Sequence, residues 1–293
     1  MAVPFVRDFP FEYGRPDRIS PLVTRVIANN PGPFTFTGSG TYIVGDELGC
    51  AVIDPGPRDE AHTSAVVAAA PGPIRAILVT HAHLDHSGGT DHLRRATSAP
   101  VLAHGAHPSS PEDAAPALDE GADHDFAPDE RLMDGELVRL RGATLRAIHT
   151  PGHVGNHLCF ALEEEAALFT GDHVMGWATT VVAPPDGDMA DYMRSLDVLS
   201  ARKDRVYYPT HGAPIINPAP FVAAVRQHRE TRDAAILAAL SERPRSAGEI
   251  VAIVYEGLDP SLRPAAALNV AAHLAVHVAS GAVRRTDTAY ALR

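Results

Sequence analysis

Residues 81–86 bring three histidines and one aspartate together: His81, His83, Asp85 and His86. They follow the apolar run 74–79 and lead into a Gly-Gly pair. If such groups were buried without partners, each would cost about 1–3 kcal/mol. Imidazole and carboxylate share one simple partner, a divalent metal ion, and this donor set indicates zinc first and iron or manganese second. The alternative is a histidine-rich surface turn.

Three further candidate ligands stand where other apolar runs end. His153, Asp172 and His211 each lie in a turn that contains glycine or proline. Such turns end a strand sharply and let a side chain leave the edge of a sheet. Sites in open α/β sheets form in the loops beyond strand ends. The sequence therefore predicts that all four segments meet at one edge.

The number of candidate ligands predicts how many ions they bind. A tetrahedral zinc ion takes four ligands, and a catalytic zinc keeps one position for water, so seven side chains are too many for one ion. Two ions are expected if Asp172 bridges them. The other six residues then divide into two sets, His81, His83 and His153 on one side and Asp85, His86 and His211 on the other.

Two such ions, about 3.5–4 Å apart, would ionise a shared water molecule near neutral pH and grip a reacting centre from both sides. The predicted chemistry is therefore hydrolysis by a metal-bridging hydroxide. Asp85 has a predicted catalytic role besides binding metal, because its second carboxylate oxygen can orient the nucleophile.

Strand-like and helical segments alternate through most of the chain. Helices are predicted over 58–70, 89–96 and 189–201, and strands over 41–44, 50–54, 74–80, 137–140, 144–149, 157–162 and 167–170. This alternation indicates an α/β fold in which helices cover two sheets, an αββα sandwich. Apolar side chains recur at i, i+3, i+4, i+7 spacing in 189–201, which is typical of a helix packed on a core.

The end of the chain has a different pattern. Helices are predicted over 229–240, 246–254 and 264–279, and a two-stranded ribbon over 282–286 and 288–292. Ser246 and Glu249 fit a capping box. Three helices and a small ribbon are the outline of a winged helix, so we expect a catalytic domain over 1–218 and a winged-helix-like domain over 219–293. The third helix has no Arg/Lys cluster, which favours a wall over the metal site rather than a DNA-reading role.

These motifs, in this order, resemble those of the metallo-β-lactamase-fold hydrolases over about residues 20–218. Residues 171–181, 191–196 and 269–274 are similar to the branch that includes β-lactamase-like protein 2. The resemblance implies single-stranded RNA cleavage, with thioester hydrolysis among relatives. It also implies that Asp54 is structural and lies beneath the metal loop. Gly40 stands where such proteins often carry asparagine, so a polar contact to substrate or to the metal loop is expected to be missing.

Composition and charge narrow the substrate class. The chain has 293 residues and a formal net charge of −11. It shows neither a secretory signal nor an apolar run long enough to span a membrane, which predicts a cytoplasmic protein with no membrane partner. Residues 108–130 carry eight acidic and no basic side chains. Near the site they would repel a polyanion within a Debye length, about 8 Å at physiological salt.

Four functions remain open. The main expectation is a dinuclear zinc hydrolase that cleaves a phosphodiester, as in a single-stranded RNA endonuclease. The alternative is a thioester or small-ester hydrolase, which the acidic charge favours. A β-lactamase is disfavoured because no export signal is present. A non-catalytic DNA-binding regulator is disfavoured because the ligand set is complete. The expected substrate is a small molecule or single-stranded RNA, and the oligomeric state stays open, with a homodimer among the alternatives.

Several polar residues near these motifs have more than one interpretation. For His157 a hydrogen bond to a ligand segment is favoured over substrate contact, whereas for His173 the two are equally favoured. Thr180 lines the cleft or begins a strand. The arginines within 226–232, at i, i+3 and i+6, either hold an anionic substrate or form a solvated basic face.

Overall fold

The computed structural model describes residues 2–109 and 121–293. Two β-sheets pack face to face. The strands of the first sheet are, in sheet order, β1 (Asp17–Arg18), β2 (Val23–Ile27), β3 (Gly40–Asp46), β4 (Gly49–Ile53), β5 (Ile74–Leu78), β6 (Val101–Ala103) and β7 (Glu130–Arg131). Pairs from β1 to β4 are antiparallel, and pairs from β4 to β7 are parallel.

The second sheet also follows chain order. Its strands are β8 (Leu137–Arg139), β9 (Thr144–His149), β10 (Leu158–Leu162), β11 (Ala167–Gly171), β12 (Val206–Pro209) and β13 (Ile215–Ile216). All neighbours are antiparallel except β11 and β12, which are parallel. The carboxyl ends of β9, β11 and β12 therefore reach the same edge of the sheet.

Within residues 2–109 and 121–293, seven α-helices cover the sheets and form the end of the chain. They are α1 (Glu60–Ala69), α2 (Leu84–Ser87), α3 (Thr90–Thr97), α4 (Met189–Ser200), α5 (Pro218–Glu242), α6 (Ala247–Val254) and α7 (Arg263–Ala279). Short 3-10 turns occupy Glu163–Glu165 and Pro260–Leu262, and β14 (Val283–Arg285) pairs with β15 (Tyr290–Leu292). None of the helices in the described ranges is long and apolar enough to cross a bilayer.

The main core lies between the two sheets. Alternation along β3 shows how it forms: Tyr42 and Val44 point inward towards Phe160 and Phe169 of the second sheet. Ile43, between them, points to the opposite face and packs in the cluster beneath α1 and α3. Successive strand side chains face opposite sides of a sheet. The predicted αββα sandwich is thus confirmed.

The outer face of the second sheet is covered by α4. Tyr192, Leu196 and Leu199 of this helix are buried in one cluster with Ile148 of β9 and Leu168 of β11. The regular spacing seen in the sequence is therefore core packing, as predicted.

Helix α5 begins at Pro218, well before the predicted start at residue 229. Its first turn contains Pro218 and Pro220. Proline disrupts a helix interior but fits the first turn, where the missing N–H would have no partner. Phe221 near the start of α5 packs in the core beside the second sheet, whereas Ile236 near its end packs with α6 and α7. One helix thus contributes to both cores, and the boundary after residue 218 stays a prediction.

The end of the chain has the predicted winged-helix outline. Ile250, Val270 and Val283 come from α6, α7 and β14 and share one buried cluster with the end of α5. The capping box is present, since the Ser246 side chain accepts a hydrogen bond from the Glu249 backbone and the Glu249 side chain accepts one in return.

Candidate metal centre

The seven predicted ligands meet at one edge of the sandwich. The segment after β5 comes from the first sheet, and the turns after β9, β11 and β12 come from the second. Each of the seven residues is at most 9% exposed. The predicted convergence of four strand ends is therefore what the structure shows.

The first cluster consists of three imidazole nitrogens. Nε2 of His81 lies 3.0 Å from Nδ1 of His83, and Nε2 of His153 lies 3.2 Å from the same atom. Donor atoms around a tetrahedral zinc ion, with bonds of about 2.0–2.1 Å, are separated by about 3.3 Å. The spacing of these nitrogens fits one such ion.

The second cluster combines two imidazoles with two carboxylates. Oδ2 of Asp85 is 3.3 Å from Nε2 of His86 and 3.1 Å from Nε2 of His211. Oδ1 of Asp172 is 3.5 Å and 3.3 Å from the same two nitrogens. These four atoms have the separations expected around a second tetrahedral ion.

Asp172 reaches both clusters. While its Oδ1 faces His86 and His211, its Oδ2 lies 4.0 Å from Nε2 of His153. Within the described ranges, Nε2 of His86 and Oδ1 of Asp172 are buried and make no hydrogen bond. Buried polar atoms without a partner are costly, and a cation between them would remove that cost. The residues present therefore fit a pair of divalent ions with Asp172 between them.

Buried Asp54 holds one end of this site from below. Its Oδ2 lies 2.8 Å from Nδ1 of His86 and accepts hydrogen bonds from the hydroxyls of Thr80 (2.8 Å) and Thr210 (3.0 Å). Its Oδ1 accepts from the Thr80 backbone N–H at 2.7 Å. A carboxylate on Nδ1 keeps the proton there and leaves Nε2 free to bind metal. Asp54 is thus structural, as the resemblance implies.

Other ligand rings are oriented in the same way. Nδ1 of His81 lies 3.0 Å from the Thr80 hydroxyl, Nδ1 of His153 lies 2.7 Å from the backbone oxygen of Val181, and Nδ1 of His211 lies 3.4 Å from that of Gly38. Backbone acceptors leave no signature in a sequence, so the Val181 and Gly38 oxygens could not be predicted as partners.

The electrostatics of the two clusters differ. Burial holds the pKa of His81 well below its ordinary value, and His86 and His83 lower it further, so the ring is neutral. Burial alone would raise the pKa of Asp172, but His211 and His86 bring it below the usual range. Burial likewise lowers the pKa of His211, while Asp172 and Asp85 raise it above its ordinary value. The second cluster thus attracts positive charge.

The family follows from a comparison of the sequence with family models. Residues 35–211 match the model of the Metallo-beta-lactamase superfamily. This chain belongs to the metallo-beta-lactamase superfamily. Residues 246–290 match a second model, the Beta-lactamase associated winged helix domain. The chain is accordingly a metal-dependent hydrolase with an appended winged helix, as the resemblance predicted.

Curated members of the superfamily match most of this chain. It is 38% identical over 238 residues to "Atrochrysone carboxyl ACP thioesterase" of Aspergillus chevalieri, covering 79% of this chain and 70% of that protein. It is 37% identical over 245 residues to "Atrochrysone carboxyl ACP thioesterase AgnL7" of Paecilomyces divaricatus, covering 83% and 72%.

A solved structure shows the same fold over the whole length. The crystal structure of a beta-lactamase domain protein from Burkholderia ambifaria aligns with a TM-score of 0.82 at 23% identity, covering 100% of this chain and 97% of that one. The sandwich and the winged helix therefore occur together in that protein as well.

The histidines next to the ligands differ in role. Nε2 of His157 accepts a hydrogen bond from the Asp172 backbone N–H at 3.2 Å, and its Nδ1 lies 2.9 Å from the Thr150 hydroxyl, so it supports a ligand segment as predicted. His173 is fully buried against the ring of Tyr192, and burial lowers its pKa to about 3. This position excludes the substrate contact that the sequence left open.

Thr180 neither begins a strand nor lines an open cleft. It is 1% exposed and lies outside the strands. Its hydroxyl donates to the backbone oxygen of Asp172 at 2.5 Å and contacts that of His173 at 3.2 Å. The residue therefore fixes the backbone beside the candidate ligand Asp172.

The interpretation as a solvated basic face is wrong for Arg229, and all three arginines within 226–232 have partners within the protein. Arg229 is 2% exposed and bonds to the backbone oxygen of Thr180 and to Oδ1 of Asn269. Arg232 donates to the backbone oxygen of Val254, and Arg226 pairs with Asp197. The sequence pattern gives spacing along one helix but not the elements that pack on it.

Three features close to the clusters were not predicted, or only partly predicted, from the sequence. The Ser39 hydroxyl donates to Oδ2 of Asp85 at 3.2 Å. The ring of His107 lies 5.9 Å from that of His83, yet no motif marks it. The backbone N–H of Gly40 donates to the oxygen of Thr210 at 2.8 Å, and a Cβ there would lie 3.1 Å from that oxygen, so the backbone comes close to Thr210 at this glycine.

The acidic segment 108–130 lies partly outside the described residues, which omit 110–120. Of the described part, Ala122 bridges to His83, and the Asp123 carboxylate accepts a hydrogen bond from Ser87 at 2.6 Å. The described end of the segment thus packs directly on the metal loop.

Proposed function

We propose that this chain is a dinuclear zinc hydrolase of thioesters. The observation that carries the proposal is that relatives 37–38% identical over 70–72% of their own length bear the name ACP thioesterase. This favours the thioester alternative over the phosphodiester expected first. In the proposed reaction water adds to the acyl carbon and the carbon–sulfur bond breaks, which gives a carboxylic acid and a thiol.

The donor set supports the choice of metal and chemistry. Five imidazoles and two carboxylates form two clusters with tetrahedral spacing, the donor types that zinc prefers. When bound, two zinc ions activate water near neutral pH and polarise the scissile carbonyl. Burial keeps the His81 ring neutral. In the second cluster burial lowers the pKa values of His86 and His211, but the Asp85 and Asp172 carboxylates raise them above the ordinary value, so a bound cation would displace protons there. Asp85 lies where its carboxylate can orient the attacking water. We propose all seven as ligands and Asp85 as the catalytic carboxylate.

A cavity beside the turn that carries His153, together with the charge of the protein, supports a small-molecule substrate over a polyanion. A cavity of about 460 Å³ is lined by the loop after β6, by Arg131 and by Gly155 and Asn156, which follow His153 in the same turn. This volume lies in the usual range for small-molecule sites. Asp123 beside the metal loop, and the net charge of −11, disfavour a polyanion such as RNA.

The test is a comparison of kcat/KM across four substrate classes with zinc-loaded protein: an S-acyl N-acetylcysteamine thioester, a p-nitrophenyl ester, bis(p-nitrophenyl) phosphate and a penicillin. We expect the thioester to exceed the phosphodiester by at least about 100-fold, equivalent to about 2.7 kcal/mol of transition-state discrimination. A His83→Ala variant, which removes a member of the first cluster, should lose most of this activity.

A higher kcat/KM for the phosphodiester would overturn the choice of substrate. Equal turnover by wild type and His83→Ala would overturn the metal-dependent mechanism as a whole.

A further inference from the structure

Residues of the C-terminal helices lie close to the metal-binding turns. Oδ1 of Asn269, on α7, accepts a hydrogen bond from the backbone N–H of Val182 at 3.1 Å. The same oxygen accepts from Nη1 of Arg229, on α5, at 3.2 Å. The Asn269 side chain is oriented by its own helix, because Nδ2 donates to the oxygen of Ala265 at 3.2 Å.

Arg229 extends this contact towards the site. The second guanidinium nitrogen of Arg229 donates to the backbone oxygen of Thr180. Its Cζ atom lies over the Tyr192 ring, 4.8 Å from the ring centroid. Tyr192 in turn donates its hydroxyl to the backbone oxygen of His173 at 3.0 Å. Asn269 and Arg229 thus hold the segment 180–182 at both ends.

The segment 180–182 contacts both halves of the ligand set. The Val181 oxygen, between the two held residues, accepts from Nδ1 of His153, a ligand of the first cluster. The Thr180 hydroxyl donates to the backbone of the bridging Asp172. One continuous path of hydrogen bonds therefore runs from α5 and α7 to two metal-binding residues.

We infer that Asn269 and Arg229 are positioning residues, which complete the metal site by fixing the backbone oxygen that orients His153. This inference rests on the proposed function, since it concerns the ions proposed to act there. A buried guanidinium shared between one backbone oxygen and one amide oxygen costs more to bury than an apolar side chain of equal volume. Packing alone would therefore favour an apolar residue at position 229.

The experiment measures zinc affinity by competition with a chromophoric chelator, and then kcat and KM at saturating zinc. Asn269→Leu has the same branching and the same number of side-chain heavy atoms, and it lacks the oxygen that Val182 and Arg229 share. We expect one of two zinc equivalents to bind about 10–100-fold more weakly, the range for lost partners of ligating histidines. Turnover should fall through kcat with KM little changed, because the substrate does not touch Asn269.

Two variants separate positioning from stability. Asn269→Asp retains an oxygen for both donors but loses the N–H that the Ala265 oxygen accepts, so it should bind zinc more tightly than Asn269→Leu does. Val270→Ala, at the next position of α7, trims a fully buried side chain of the C-terminal core. It should lower the thermal midpoint while zinc affinity stays at the wild-type value.

The outcomes decide between the two claims. If wild type binds two zinc equivalents and Asn269→Leu binds both with unchanged affinity and kcat, the inference is wrong. If Val270→Ala weakens zinc as much as Asn269→Leu, the effect is one of general stability and the inference is also wrong. Wild type that binds no zinc overturns the proposed function instead. Should Asn269→Leu fail to fold, Arg229→Lys, which keeps the charge but cannot bond both oxygens in one plane, is judged by the same criteria.

Discussion

Asp54 contacts one candidate ligand directly, His86, and reaches a second, His81, through the Thr80 hydroxyl, so replacing it with asparagine tests how the site is held. The carboxylate accepts four hydrogen bonds, two from Thr80 and one each from His86 and Thr210, at 2.7–3.0 Å. Its backbone is left-handed, with φ of 51°. Asparagine tolerates this conformation as well as aspartate does. Asp54→Asn therefore changes the side-chain chemistry and leaves the backbone conformation in place.

An amide cannot satisfy the same donors. With its NH₂ towards His86, two N–H groups face each other unless the imidazole moves its proton to Nε2, the atom proposed to bind metal. With the amide turned round, the NH₂ faces the Thr80 backbone N–H instead. One buried donor is thus left unpaired at about 1–3 kcal/mol, and the remaining bonds lose charge assistance worth about 1 kcal/mol. We expect metal-free Asp54→Asn to lose about 2–4 kcal/mol of stability, and its zinc affinity to fall about 10–100-fold.

Urea unfolding of chelator-treated protein measures the stability of the metal-free state, and competition with a chelator measures the zinc affinity. Asp59→Asn is the matched control, since Asp59 caps α1 through its side chain and asparagine caps a helix equally well. Its stability and zinc affinity should stay near those of wild type. Wild-type stability together with wild-type zinc affinity in Asp54→Asn would refute the assigned role of the carboxylate.

Three further predictions concern pH, metal and backbone geometry. Burial lowers the pKa of His62 to about 4, so only the unfolded state binds its proton between pH 6.5 and about 4, and acid destabilises the fold there. Against His62→Gln in urea unfolding, wild type should lose about 2 kcal/mol more between pH 7 and about pH 4.5. Chelator removal of metal should abolish turnover and lower the thermal midpoint, and zinc at about 100 times its Kd should restore about 2.7 kcal/mol. Gly152 has φ of 140°, and a Cβ there would lie 2.3 Å from Cα of Tyr192, so Gly152→Ala should cost about 2–4 kcal/mol in urea unfolding and weaken zinc binding at the adjacent His153.

Each of these has an outcome that contradicts it. A difference between wild type and His62→Gln that is the same at both pH values would mean that His62 is not held neutral. If chelator left the thermal midpoint unchanged, bound metal would not contribute to the stability of the fold. Gly135→Ala is the control for Gly152→Ala, because φ is also positive there and no atom lies within 4 Å of the added Cβ. Equal losses in the two variants would show that φ alone, and not the contact with Tyr192, sets the cost.

The fold and the convergence of the seven candidate ligands could be predicted because their signals are local. Ligand types at short spacing in residues 81–86, and turns after apolar runs before His153, Asp172 and His211, are readable without long-range information. Alternating strands and helices then limit the architecture to few arrangements. The start of α5 was missed because proline usually ends a helix in a sequence pattern, yet it is accepted in a first turn.

Tertiary structure alone decided what surrounds the ligands. The oxygens of Val181 and Gly38 orient two histidines, but every residue has such an oxygen, so no residue type marks them. Arg229 and Asn269 reach the site from helices at the far end of the chain, and only the packing of α5 and α7 against the 180–182 segment brings them there. Side-chain chemistry is written in the sequence, whereas the pairing of distant backbone groups arises only when the chain is folded.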